Sequence, residues 1–233
     1  FQIPMRDGVK LFTSVYAPKD QSQAYPFLMM RTPYTVAPYG IDNFRMSLGP
    51  ASEKFMREGF IFVYQAVRGK GRSEGTFVHV RPHIPNKKSN KDVDESSDTY
   101  DTLDWLVKNF PNNNGRAGMY GISYPGFYAA QGAIDSHPSL KATSPQPPVL
   151  NWFIGDDFRH NGALFLVHAF NFLGAFGRPR GDQPIAAGSK FDMDGVDAYT
   201  FHLSMGGLPN YDEKLFKGQV EFWRDLISHD TYS

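Results

Sequence analysis

The chain contains no cysteine. That excludes disulfides, thiolate nucleophiles and cysteine-ligated metal, and it fixes no compartment. No apolar run is long enough to cross a bilayer. Neither charge is in excess, since 24 Lys and Arg balance 24 Asp and Glu. Nucleic acid and an anionic membrane are therefore not the expected partners. No H-E-x-x-H or comparable ligand spacing occurs, so no metal and no cofactor is expected. The glycine-rich run Val67-Arg68-Gly69-Lys70-Gly71-Arg72-Ser73-Glu74-Gly75 has neither Walker nor dinucleotide spacing, and no phosphate is assigned to it. There is no internal repeat or low-complexity tract, these residues show no secretory signal, and the opening at Phe1 without methionine reads as a chain that is processed, trimmed or only partly displayed.

The chain has 233 residues, 41% of them apolar. That suits one large domain or one and a half, with an ordinary core. Aromatic residues make up 15% and many follow residue 150; packed aromatics are the first reading, an aromatic-lined pocket the second.

Periodicity gives the order of elements. Val9, Leu11, Thr13, Val15 and Ala17 alternate as a half-exposed strand after an Asp7-Gly8 turn. Phe27–Met30 and Phe60–Tyr64 read as short buried strands, with a helix over 51–57 between them. Residues 81–98 read as a polar surface loop. Leu103, Leu106, Val107 and Phe110 give a helix over 98–110, with acidic residues at its start and Pro111 and Gly115 ending it. A strand enters Ser123, a helix leaves it, and Lys141–Pro145 forms another strand. Alternating strands and helices predict a mostly parallel sheet in an α/β domain over 1–150, with sites at the carboxyl ends of its strands. Residues 151–233 change character: 177–212 look irregular and 214–228 have helical spacing.

Gly121-Ile122-Ser123-Tyr124-Pro125-Gly126 carries the chemistry. It reads as a strand that breaks at a serine and restarts as a helix, the arrangement that presents a nucleophilic hydroxyl in a serine hydrolase. Pro125 replaces the second glycine of G-x-S-x-G, and it suits the first turn of a helix. A Gly/Ser/Pro turn without chemistry is the other reading of these residues.

Several blocks in order resemble the alpha-amino acid ester hydrolases, within the cocaine esterase and X-Pro dipeptidyl peptidase group of α/β-hydrolases. They are Pro4–Leu11, Arg31-Thr32-Pro33-Tyr34, Val67-Arg68-Gly69, Ser73-Glu74-Gly75, the serine block and Gly155–Ala163. Ala66 departs from the aspartate that often precedes V-R-G in related chains.

The resemblance implies Ser123 as nucleophile, with the Tyr124 backbone N–H and the Tyr34 hydroxyl as oxyanion donors. It implies that Asp157 binds a substrate alpha-ammonium group. Read from the residues alone, Asp156 suits a cap for the following segment, and loop or N-cap roles for both aspartates are the other reading. The implied substrates are small acyl compounds: esters or amides of alpha-amino acids, beta-lactam acyl compounds included. A dipeptidyl peptidase, a general carboxylesterase and a non-catalytic binding remnant are the alternatives.

By the same resemblance, this is the N-terminal half of an α/β-hydrolase plus the start of a helical cap. The remaining sheet and a C-terminal β-sandwich would follow, on a homo-oligomer that is periplasmic or secreted. The triad acid and base are expected outside these residues, in the C-terminal remainder of the same enzyme. His137, His160, His168, His202 and His229 follow the serine, and a packing or surface role is expected for each. An uncompleted sheet would leave an apolar edge, so poor solubility or dependence on a partner chain is expected.

Overall fold

A computed structural model describes residues 1–49, 52–152, 157–177 and 195–229. They form two compact units that divide between Val149 and Leu150.

The first unit is built on strands β1 (Gln2–Pro4), β2 (Lys10–Tyr16), β3 (Tyr25–Thr32), β4 (Ile61–Ala66), β5 (Asn113–Ser123) and β6 (Leu140–Pro148). Their order is β1-β2-β4-β3-β5-β6. The first two join antiparallel, and β4, β3, β5 and β6 run parallel. Helix α1 (Ser52–Arg57) connects β3 to β4, α2 (Glu95–Asn109) connects β4 to β5, and α3 (Tyr124–Gly132) connects β5 to β6. Every residue of β4 is buried, as a central parallel strand requires.

Helices α2 and α3 contact each other, and α3 packs across β3, β5 and β6. Ala117, Met119 and Gly121 of β5 are buried, while Ile122 is exposed. Leu28, Phe60, Tyr120, Ile122 and Phe55 of α1 line a groove of about 460 Å³. β6 carries Pro145, Pro147 and Pro148, which cannot donate to a ladder, and it lies at the end of the strand order.

The surface loop expected over 81–98 is correct only in part. Asp94, Glu95, Ser96, Ser97 and Asp98 are buried, and α2 begins at Glu95. The reason is an ion cluster that no local pattern reveals. The buried Arg68 guanidinium donates to both Asp98 carboxylate oxygens, at 2.7 and 2.8 Å, and to both Asp7 oxygens, at 2.7 and 3.0 Å. Arg31 is fully buried and pairs with Glu95 at 2.9 Å and with Asp98 at 3.4 Å. Its Nε donates to Gln65 at 2.8 Å.

In the second unit, Arg159–His160 (β7) and Ala163–Leu164 (β8) form a hairpin. Asn161 and Gly162 turn it, both at positive φ, as a two-residue hairpin favours. Helices α4 (Leu166–Phe176), α5 (Ala198–Met205), α6 (Pro209–Tyr211) and α7 (Glu221–Ser228) follow, with a π-helical turn over Asp212–Phe216. Phe170, Tyr211, Phe216 and Trp223 fill the core. Two sequence expectations change here. Ala198–Met205 is helical although 177–212 looked irregular, with Asp197 capping it through the Thr200 N–H. The helix expected over 214–228 is broken at Lys217 and Gly218, both left-handed.

Asp94 caps α2, accepting from Ser97 N–H at 2.9 Å, while Ser97 Oγ accepts from the Asp94 amide. Burial works to raise its carboxyl, but the Ile84 N–H, Lys87 and the Ser97 N–H outweigh it and hold the group well below the ordinary range. A carboxyl depressed by folding stabilises fully above its unfolded pKa, roughly 3.9, and loses that contribution as pH falls through the folded value. Asp94→Asn is therefore expected to lower stability at neutral pH and to flatten the acid limb. Urea midpoints from about pH 3 to pH 7 check this; an unchanged acid slope refutes it.

Candidate active site

The chain leaves β3 through α1 toward β4, and it leaves β5 through α3 toward β6, on the other side. The strand order therefore reverses between β3 and β5. Open parallel sheets hold their ligands at the carboxyl ends of such a pair. Tyr34 lies just beyond β3, and Ser123 ends β5.

Ser123 adopts φ 62° and ψ −123°. A non-glycine residue in that region stores about 1–3 kcal/mol, so the surroundings must hold it there. Gly121 and Gly126 show how. A Cβ on Gly121 would lie 2.0 Å from the Pro125 carbonyl oxygen; on Gly126 it would lie 3.0 Å from the Gly121 oxygen and 3.1 Å from that of Gln146. Two glycines thus let the strand end, the helix start and β6 close on one another, although the second comes one residue later than in G-x-S-x-G. The β5–β6 register slips here, with Ile122 opposite Gln146 and Ser123 opposite Pro148.

Serine at a helix start ordinarily caps it. Ser123 occupies the N-cap position of α3, but its side chain makes no capping bond and the residue is exposed.

Tyr124 is buried. Its hydroxyl accepts from the Val80 N–H at 2.9 Å and meets His79 Nδ1 at 3.3 Å. Burial raises its pKa, so the hydroxyl stays protonated. The half-buried Tyr34 sets its ring edge-on to that of Tyr124, centroids 6.5 Å apart. The Tyr34 N–H donates to Thr32 Oγ1 at 3.1 Å, which fixes the turn after β3. Ser123 and Tyr124 thus lie at the end of β5, and Tyr34 just beyond the end of the adjacent β3, with the two tyrosine rings in contact.

Asp157 lies in the second unit, half-buried in the turn before β7. Beside it, Phe158 stacks on Trp152 at 4.4 Å. Asp156 lies outside the described residues. Arg159 donates to the carbonyls of Leu226 and His229, both at 2.8 Å, and closes the end of α7.

His137 packs its ring on Tyr100 at 4.8 Å and faces Asp104 at 3.6 Å. It precedes β6, below the level where Leu140 pairs with Ala117. Ser123 lies six residues beyond Ala117 along β5, about 20 Å of rise, so His137 lies at the opposite end of the sheet. His202 meets the Tyr211 hydroxyl at 2.8 Å, and His160 stacks on Phe165 at 6.1 Å. His168 packs against Phe158 at 5.8 Å, and His229 Nδ1 lies 2.8 Å from the Asp225 carbonyl. The sequence did not single out His79 or Val80. They meet Tyr124 from 45 and 44 residues away, and nothing local signals that contact.

Residues 7–192 match the X-Pro dipeptidyl-peptidase (S15) family. The chain belongs to that family. This family is one of esterase- and peptidase-type serine hydrolases. The chain is 34% identical over 163 residues to cocaine esterase of Rhodococcus sp. (strain MB1 Bresler), covering 70% of this chain and 25% of that enzyme. Its structure is similar over its full length to an alpha-amino acid ester hydrolase, at 33% identity and a TM-score of 0.84. It is likewise similar to an aminopeptidase from the marine sediment archaeon Thaumarchaeota archaeon, at 31% identity and a TM-score of 0.83. It spans 37% and 38% of those two chains. The fold is thus that of part of an α/β-hydrolase.

Gly121→Ala is expected to destabilise the protein by about 3 kcal/mol, the upper end for overpacking, because the atoms it meets are backbone. Urea unfolding of the variant checks this; a loss below about 1 kcal/mol would show that the elbow can open.

Proposed function

We propose that this chain carries the nucleophile and oxyanion site of a serine-dependent acyl hydrolase acting on esters or amides of alpha-amino acids. The observation that carries the reading is Ser123, strained at φ 62° at the end of β5 and excused from capping its helix. Its hydroxyl attacks the acyl carbonyl, the leaving group departs, and water releases the acyl group from Ser123. The tetrahedral oxyanion takes hydrogen bonds from the Tyr124 N–H and the Tyr34 hydroxyl.

Nucleophilic attack needs a base to take the serine proton and an acid to orient the base. His137 is at the wrong end of the sheet. We assign both roles to polypeptide outside these 233 residues, in keeping with the 37% span of the ester hydrolase chain. Asp157 supplies the counter-charge for a substrate ammonium group, since a cation entering a partly dry pocket needs one. The family match favours a second reading, cleavage after an N-terminal X-Pro unit. That substrate also presents an ammonium group.

In the full-length protein, Ser123→Ala is expected to abolish fluorophosphonate labelling and to lower kcat/KM at least about 10³-fold. Labelling that survives the substitution refutes the nucleophile. Asp157→Asn is expected to raise KM about tenfold for amino-bearing esters and to spare plain esters. Equal effects on both substrate types would remove Asp157 from ammonium recognition. Comparing amino-acyl esters with X-Pro amides separates the two readings.

A further inference from the structure

Val80 is β-branched and yet sits at φ 42°. Branching at Cβ makes that left-handed conformation costly, so an outside contact must compensate. The contact is the Val80 amide donating to the Tyr124 hydroxyl at 2.9 Å. The same hydroxyl meets His79 Nδ1 at 3.3 Å.

Rings enclose the Tyr124 side chain. Tyr128 stacks on it at 5.6 Å, Phe127 meets it edge-on at 6.2 Å, and Phe77 tilts against it at 6.4 Å. Tyr34 stands edge-on at 6.5 Å. Tyr128 in turn lies over the Arg31 guanidinium at 5.6 Å, and Arg31 is tied into the buried ion cluster. One side chain therefore joins the Phe77–Val80 loop, helix α3 and the turn that carries Tyr34. A ring held in this way cannot rotate without moving the peptide that bears it.

We propose that the Tyr124 side chain, clamped by the Val80 amide and His79, is the positioning group of the oxyanion site. It sets the direction of its own N–H, and through the edge-on contact it sets the approach of the Tyr34 hydroxyl. The Phe77–Val80 loop then governs turnover and not substrate affinity. Oxyanion donors act through preorganisation, and a misplacement of about 1 Å costs about 10²-fold. The inference rests on Ser123 as nucleophile.

The test is Tyr124→Phe in the full-length protein, which keeps the ring and removes the hydroxyl. The kcat for an amino-acyl ester is expected to fall about 10- to 100-fold, with KM within about twofold. Affinity for an alkylboronic acid, which forms a tetrahedral serine adduct, should weaken in step with kcat. His79→Leu should show a smaller loss of the same kind. The double variant should be no slower than Tyr124→Phe alone, because both changes act through one hydroxyl.

A kcat within about twofold of the parent overturns the proposal, as do additive losses or a rise in KM at constant kcat. A Tyr124→Phe protein that does not fold leaves His79→Leu to decide. There a kcat loss at unchanged KM and melting temperature supports the proposal, and no loss overturns it. Ser123→Ala runs beside them. Activity that survives in it removes the nucleophile itself, whereas an inactive Ser123→Ala with a fully active Tyr124→Phe removes only the positioning role.

Discussion

Asp98 accepts Arg68 on both of its oxygens while Arg31 approaches one of them, all inside the protein. Three ionised groups at such depth carry a large desolvation cost, and only near-complete pairing offsets it. The pairing ties down four remote segments: the turn with Asp7, the end of β3 with Arg31, the loop after β4 with Arg68, and the first turn of α2. Two of these segments leave the carboxyl ends of central strands. The cluster therefore fixes the end of the sheet where Tyr34 and Ser123 emerge. Through Tyr128 it also backs the helix that follows the serine.

That support matters because the elbow is strained. A serine at φ 62° persists only when neighbours over-determine it. Here the neighbours are backbone against backbone at Gly121 and Gly126, a proline in the first turn of α3, and aromatic rings beneath. The fold accepts strain at one residue and in return leaves a hydroxyl free of helix-capping duty. For the acyl transfer proposed above that exchange is useful, since the hydroxyl has to meet a substrate and not an amide of its own helix.

Much of this was legible in the residues. The strands β2 to β6 and the helices after β4 and β5 follow from periodicity, and the serine block follows from glycine and proline chemistry at a strand end. What escaped is instructive. Residues 94–98 look like solvated loop because they are Asp, Glu and Ser, yet they are buried, since their partners Arg31 and Arg68 lie up to 67 residues away. The break at Lys217–Gly218 interrupts an apolar spacing that continues across it, so spacing alone could not show it.

The sequence by itself determined the alternation of strands and helices, the place of the serine at a strand end and the family blocks, because those depend on local sterics and short-range spacing. Tertiary structure decided which charges are buried together, which face of the sheet is covered and what clamps Tyr124. Those outcomes depend on contacts between residues distant in the chain, and such contacts leave no trace in any short window of sequence.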